Sequence, residues 1–137
     1  MSRKDQDVER QILHELTLYG RRVRAVVQRV HPDLSFVAYT MLSHVYDEDG
    51  CRAMDLARVY ALDKSTVSRQ VADMIARGLL VRGADHALHV SRDGARILEG
   101  AREQQRELLA ARLAGWTAAE RRSFAELLRR YNEAEAE

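Results

Sequence analysis

Between residues 54 and 90, two short helical patterns, a tight connection and a hairpin pattern follow one another with hardly a residue to spare. Residues 63–79 lie at the centre. Asp63 is placed to cap the free N–H groups of a first helical turn, and Gly78 stands where a helix commonly stops. Val67, Val71 and Met74 recur at four and three residues, which sets them on one inward face. Upstream, Leu56, Ala57 and Tyr60 give residues 54–60 an inward face, and residues 61–63 are left as the connection. Downstream, residues 79–82 and 87–90 are β-prone runs separated by Gly83, Ala84, Asp85 and His86. Helix, turn, helix and small hairpin in this order predict a winged helix-turn-helix.

The second helix of that unit turns a distinctive face outward. Ser65 and Arg69 lie opposite the valines, flanked by Thr66, Ser68 and Gln70, with Lys64 at the helix start. Short hydroxyls, an amide and long cations at a helix N-terminus reach phosphate oxygens and base edges together. These six residues are therefore the expected DNA contacts, with Arg69 suited to a bidentate guanine contact. For Thr66 and Ser68, local hydrogen bonding to the helix backbone is an equal alternative. Asp73, one turn beyond Arg69, is a competing partner for that guanidinium.

Long helical patterns flank the unit. Val8, Ile12, Leu16, Tyr19, Val23, Val26 and Val30 step by four and three, close to a coiled-coil seam. About 23 helical residues would span roughly 35 Å, more than one small winged domain needs. Pro32 closes this helix, because the residue before proline disfavours helical backbone. Ser35 is placed to cap a second helix with Ala38, Met41, Leu42 and Val45 inward, and residues 51–53 are expected as a short third strand on the wing sheet. Ser91 is placed to cap a further helix with Ile97, Leu98, Ala101, Leu108, Leu109 and Leu113 as apolar positions. Its middle, residues 102–107, is wholly polar, as in a connector crossing solvent. Thr117 and Glu120 form a capping-box signature before Phe124, Leu127, Leu128 and Tyr131, and an acidic end at 133–137 is expected to fray. The expected architecture is mostly α with a small β-wing: one domain over 1–137, its winged part at 34–91, with dimerisation helices at 8–30 and 92–131.

Three segments carry a resemblance to the MarR family of bacterial transcription regulators. Residues 64–69 (Lys-Ser-Thr-Val-Ser-Arg), 77–80 (Arg-Gly-Leu-Leu) and 91–94 (Ser-Arg-Asp-Gly) stand where that family has its recognition-helix core, post-helix turn and post-wing helix start. The resemblance covers nearly the whole chain. It implies a triangular homodimer with one recognition helix per subunit in the major groove and the wings near the minor groove. It also implies a repressor that responds to a small aromatic acid or to oxidation. Ala61 stands where the family usually has Gly, so an Ala would have to hold a left-handed backbone at a cost of about 1 kcal/mol. The family's usual Asp-x-Arg wing tip is absent, leaving Asp85 and His86 there; Arg82 is the nearest replacement for its arginine, and Arg82 and His86 are the expected DNA contacts of the wing.

Charge supports a DNA-facing centre. Residues 52–96 hold eight cations and five anions, a local +3 within a chain whose net charge is +1, so the flanks are acidic. No stretch approaches the apolar length of a membrane span. The charged N-terminus lacks a signal-peptide pattern. One cysteine, Cys51, allows no internal disulfide, so a cytoplasmic setting is expected. Converging carboxylates, a nucleophile with its base and a phosphate loop are all missing from the pattern, so no enzymatic role or cofactor is expected. The histidines show no metal-ligand spacing with Cys51. Cys51 serves as a redox sensor only if exposed and of depressed pKa; otherwise it is a small buried residue at a strand start. An effector cleft between the first, second and fifth helices would be lined by Tyr19, Arg22, Tyr39, Met41 and His44, the other possibility being that these are core residues needing no ligand. The alternative function is a winged-helix architectural or protein-interaction module of weak DNA specificity.

Overall fold

The computed structural model describes residues 1–134, so the last three residues of the expected acidic end lie outside the described residues. Six helices and one hairpin follow in order: α1 (Arg3–Val30), α2 (Phe36–Asp47), α3 (Ala53–Val59), α4 (Lys64–Ala76), β1 (Leu80–Arg82), β2 (Leu88–Val90), α5 (Arg92–Arg112) and α6 (Ala118–Glu133). They form two compact units, residues 1–104 and residues 105 onward.

In the first unit, α1 begins five residues before the expected Val8, because Ser2 and Asp5 make a reciprocal capping box. Only its last turns enter the core. Val26 and Val27 are buried, Leu16, Val23 and Val30 are half-buried, and Val8, Ile12, Leu13 and Tyr19 remain exposed. Ser35 caps α2 by accepting from Ala38 N–H at 3.1 Å, and Ala38, Met41, Leu42 and Val45 are buried as the periodicity requires. Leu56 from α3, Val67, Val71 and Met74 from α4, Leu80 and Leu88 from the hairpin, and Leu98 and Ala101 from α5 complete one core. Burying these side chains is the main favourable term fixing α4 against its neighbours.

The backbone between elements explains the tight spacing. Ala61 does adopt the left-handed region, with φ 51°, and Leu62 N–H donates to the Ala57 carbonyl across the bend. Gly78 ends α4 at φ 76°. The hairpin is antiparallel, with Leu80 facing Val90 and Arg82 facing Leu88. The expected third strand is smaller than predicted: a single bridge of Cys51 to Leu88, because residue 53 already begins α3. Ser91 accepts from Gly94 N–H at 2.9 Å to start α5, and Gly94 packs so closely on the Leu79 carbonyl that no Cβ fits there.

The polar middle of α5 is not purely a connector. Arg102 donates to Asp47 at 2.8 Å and Ser43 at 2.9 Å and lies 5.2 Å from the Tyr46 ring centre, tying α5 to α2. In the second unit, Thr117 and Glu120 form the expected capping box, and the Trp116 ring meets Phe124 edge-on at 5.3 Å. α6 buries no residue; Phe124, Leu127, Leu128 and Tyr131 are all exposed.

Candidate nucleic-acid interface

The outer face of α4 is organised from its cap. One Asp63 carboxylate oxygen accepts both from Thr66 N–H and from the Ser65 hydroxyl, each at 2.7 Å. The Ser65 hydroxyl foremost, then the Thr66 N–H, hold the Asp63 carboxyl down at about 2. A charged cap is thus permanent near neutrality, and it complements the positive end of the helix. It also sets what each first-turn group has to offer. Ser65 spends its proton on Asp63 and keeps free lone pairs, while the exposed Lys64 projects beside it.

Beyond the cap, Ser68 and Arg69 are exposed, and Thr66 and Gln70 are half-buried. Arg69 makes no hydrogen bond or ion pair among the described residues. Asp73, the competing partner, pairs instead with Arg77, Nε to Oδ2 at 3.1 Å. In that pair the acid precedes the base by four residues, the orientation that a helix favours over the reverse. Arg69 therefore keeps all five guanidinium N–H donors for an external ligand. Thr66, Arg69, Gln70 and Asp73 line one shallow cleft of about 290 Å³.

The wing stands beside this face. Ser68, Ala72, Ile75 and Ala76 of α4 share a second cleft, about 370 Å³, with Ala53 and Arg82. Arg82 and Ser68 thus border one groove. The wing turn is held by Gly83 N–H to the Ala87 carbonyl at 2.8 Å and by Ala87 N–H to the Asp85 carboxylate at 3.0 Å. That second bond is the chief reason the Asp85 carboxyl sits below its ordinary range. His86, exposed at the tip, adopts φ 63°. Arg82 donates to the His86 carbonyl at 3.4 Å, and Arg52 donates to the Asp85 carbonyl at 3.5 Å. Arg52 is not among the DNA contacts expected from the sequence; the signal that points to it is its place in the expected short strand at 51–53.

The residues proposed for an effector cleft are distributed differently. Tyr39 and Met41 are core residues, 6% and 0% exposed. His44 is half-buried and meets Tyr60 edge-on at 5.7 Å. Tyr19 and Arg22 lie exposed on α1. The lining of a larger open cleft, about 680 Å³, includes His31, Asp33, Arg77, Asp93 and Arg96 and none of those five. Cys51 is half-buried, and burial first, then the Asp55 and Glu48 charges, push its thiol up. That is the opposite of the depressed pKa a thiolate sensor requires. Among the described residues, no group of three or more His, Cys, Asp or Glu is placed to hold a metal ion. Nor is any helix there long and apolar enough to cross a membrane.

Comparison with known proteins bears on the same segment. Residues 33–87 match the model of the MarR family. Over 131 residues the chain is 29% identical to an uncharacterised HTH-type transcriptional regulator, YxaD, of Bacillus subtilis, covering 90% of this chain and 92% of that protein. Its fold is similar to that of a MarR family protein from Bacillus stearothermophilus, with a TM-score of 0.87 at 22% identity over 97% of this chain and 96% of that one. It is also similar in fold to Bordetella bronchiseptica BpsR, whose DNA binding is regulated by 6-hydroxynicotinic acid, with a TM-score of 0.62 at 23% identity over 89% and 93% of the two chains.

Proposed function

Because the winged segment of this chain, residues 33–87, belongs to the MarR family, we propose that the protein is a sequence-specific DNA-binding transcriptional regulator. The observation that carries this is the outward face of α4, where Arg69 stands exposed and unpaired beside Lys64, Ser65, Ser68 and Gln70. Arg69 donates to a guanine edge in the major groove, Lys64 supplies charge to a phosphate, and the hydroxyls and amide fix register. Arg82 and His86 bring the wing to the flanking duplex.

The regulator works as a homodimer in the cytoplasm. Two recognition helices about one DNA turn apart, roughly 34 Å, call for a pseudo-palindromic operator. The exposed apolar residues of α1 and, separately, of α6 supply surface for a second copy to cover. Repression relieved by a small aromatic acid is the regulatory form that best fits the likeness to BpsR, with Tyr19, Arg22, Tyr39 and His44 as the residues to test.

One observation favours a second reading, an architectural or protein-interaction module. The wing tip presents the anion Asp85 where a cation would suit DNA. Selection of bound sequences from a random DNA pool, repeated at two salt concentrations, separates the two. A regulator enriches one palindrome over bulk DNA by about a thousandfold or more. A module of the second kind enriches none.

A further inference from the structure

We propose that the wing engages DNA through two arginines at its root, Arg52 and Arg82, each taking a phosphate beside the anionic tip. The assignment rests on the DNA-binding reading above. Leu88 is the hinge of the geometry: Arg82 faces it across the hairpin on one side, and Cys51 bridges to it on the other. The two arginines therefore come from opposite edges of β2. They converge on consecutive carbonyls of the turn, Arg52 on Asp85 at 3.5 Å and Arg82 on His86 at 3.4 Å.

These bonds are long for N–H to oxygen contacts, and both side chains belong to exposed residues. Little is lost when an ionised acceptor replaces a carbonyl, because charge-assisted bonds are roughly twice as strong. Each guanidinium also retains four further N–H donors. Arg52 and Arg82 bring two formal cations to a turn whose one anion, Asp85, has its carboxylate 3.7 Å from His89 Nε2. Arg82 in addition borders the groove that Ser68 and Ala72 form on α4, so wing and recognition helix present one surface. The guanidiniums sit alongside the turn backbone, bonded to it, which suits phosphates flanking the tip rather than base edges.

The test is fluorescence anisotropy with a labelled random-sequence duplex across a series of salt concentrations. It compares the intact protein with Arg52→Gln, Arg82→Gln and the corresponding lysine variants. Each glutamine variant should lower the slope of log affinity against log salt by about 1 for every arginine removed. Each lysine variant should keep the original slope, because a phosphate contact asks only for the charge. Glutamine variants with the original slope would overturn the assignment while leaving the DNA-binding reading intact. Lysine variants that lose slope as the glutamines do would overturn it as well, since the arginines would then be bracing the turn. An unsubstituted protein that binds the duplex at no salt concentration would remove both readings.

Discussion

At Arg69 the decisive fact is a choice made four residues away. Asp73 could pair backward with Arg69 or forward with Arg77, and it pairs forward at 3.1 Å, as expected for an acid preceding a base on a helix. If Arg69 meets DNA as proposed, it does so without an ion pair to Asp73 to break. Replacing Arg69 with alanine should cost about 1–3 kcal/mol of specific operator binding with no change in thermal unfolding, measured by anisotropy and calorimetry on one preparation. Equal affinity of the two proteins would remove Arg69 from the interface. Ala61 makes the opposite case, a residue whose cost is borne within the fold. Its φ of 51° is one that glycine adopts freely, and its side chain is exposed. Ala61→Gly should therefore raise stability by about 1 kcal/mol, read as a higher urea midpoint at unchanged slope. Both residues could be picked out from the sequence, one by its face and one by its place in the bend. Arg52 could be placed near the wing by the expected strand at 51–53 but not on its turn, because its contact with the Asp85 carbonyl exists only once Cys51 has paired with Leu88.

For single elements, capping and periodicity carried most of the information. Ser35, Asp63, Ser91 and Thr117 all cap where their side chains allow. The inward positions of α2 and α4 are buried as their spacing requires. What periodicity could not distinguish is burial within one chain from burial against another. α1 carries one continuous apolar seam, yet only its C-terminal turns meet the core. The early start of α1 was also present in the sequence, as Ser2 three residues before Asp5, but its signal lay outside the apolar pattern. The cap of α4 gives the clearest test. Asp63 has its carboxyl lowered to about 2 from its ordinary value of 3.8, so the folded state binds its proton less readily than the unfolded state. Its contribution is present in full above the unfolded value and is lost as pH falls from about 4 toward about 2. Asp63→Ala should therefore be less stable than the unsubstituted protein at neutral pH, with the gap closing over that acidic window. Urea unfolding at stepped pH measures it, and a gap that persists unchanged to pH 2 would count against the cap as its source.

Among the described residues, α1 and α6 each leave large apolar side chains uncovered. α1 runs 28 residues, about 42 Å, and along most of that length the core does not reach it. The second unit offers α6, which buries nothing, and exposes Leu127 at 57% and Tyr131 at 61%. An amphipathic helix with an uncovered apolar face gains stability chiefly by packing. Each face separately argues for a second copy of the chain. If that copy is present, folding and association are one equilibrium, and the unfolding midpoint must rise with protein concentration. Light scattering at micromolar concentration should give twice the 15.7 kDa chain mass. Ile12→Glu and Leu127→Glu, made separately, should each push the population toward monomer, because a charge on a covered apolar face is costly to bury. The same variants should weaken operator binding far more than binding to a half-site, since a palindrome rewards two linked heads through effective concentration. Arg69→Ala should instead weaken both, so the two classes of variant separate assembly from recognition. A folded monomer that binds the full operator as tightly as the dimer would show that the exposed faces have some other use.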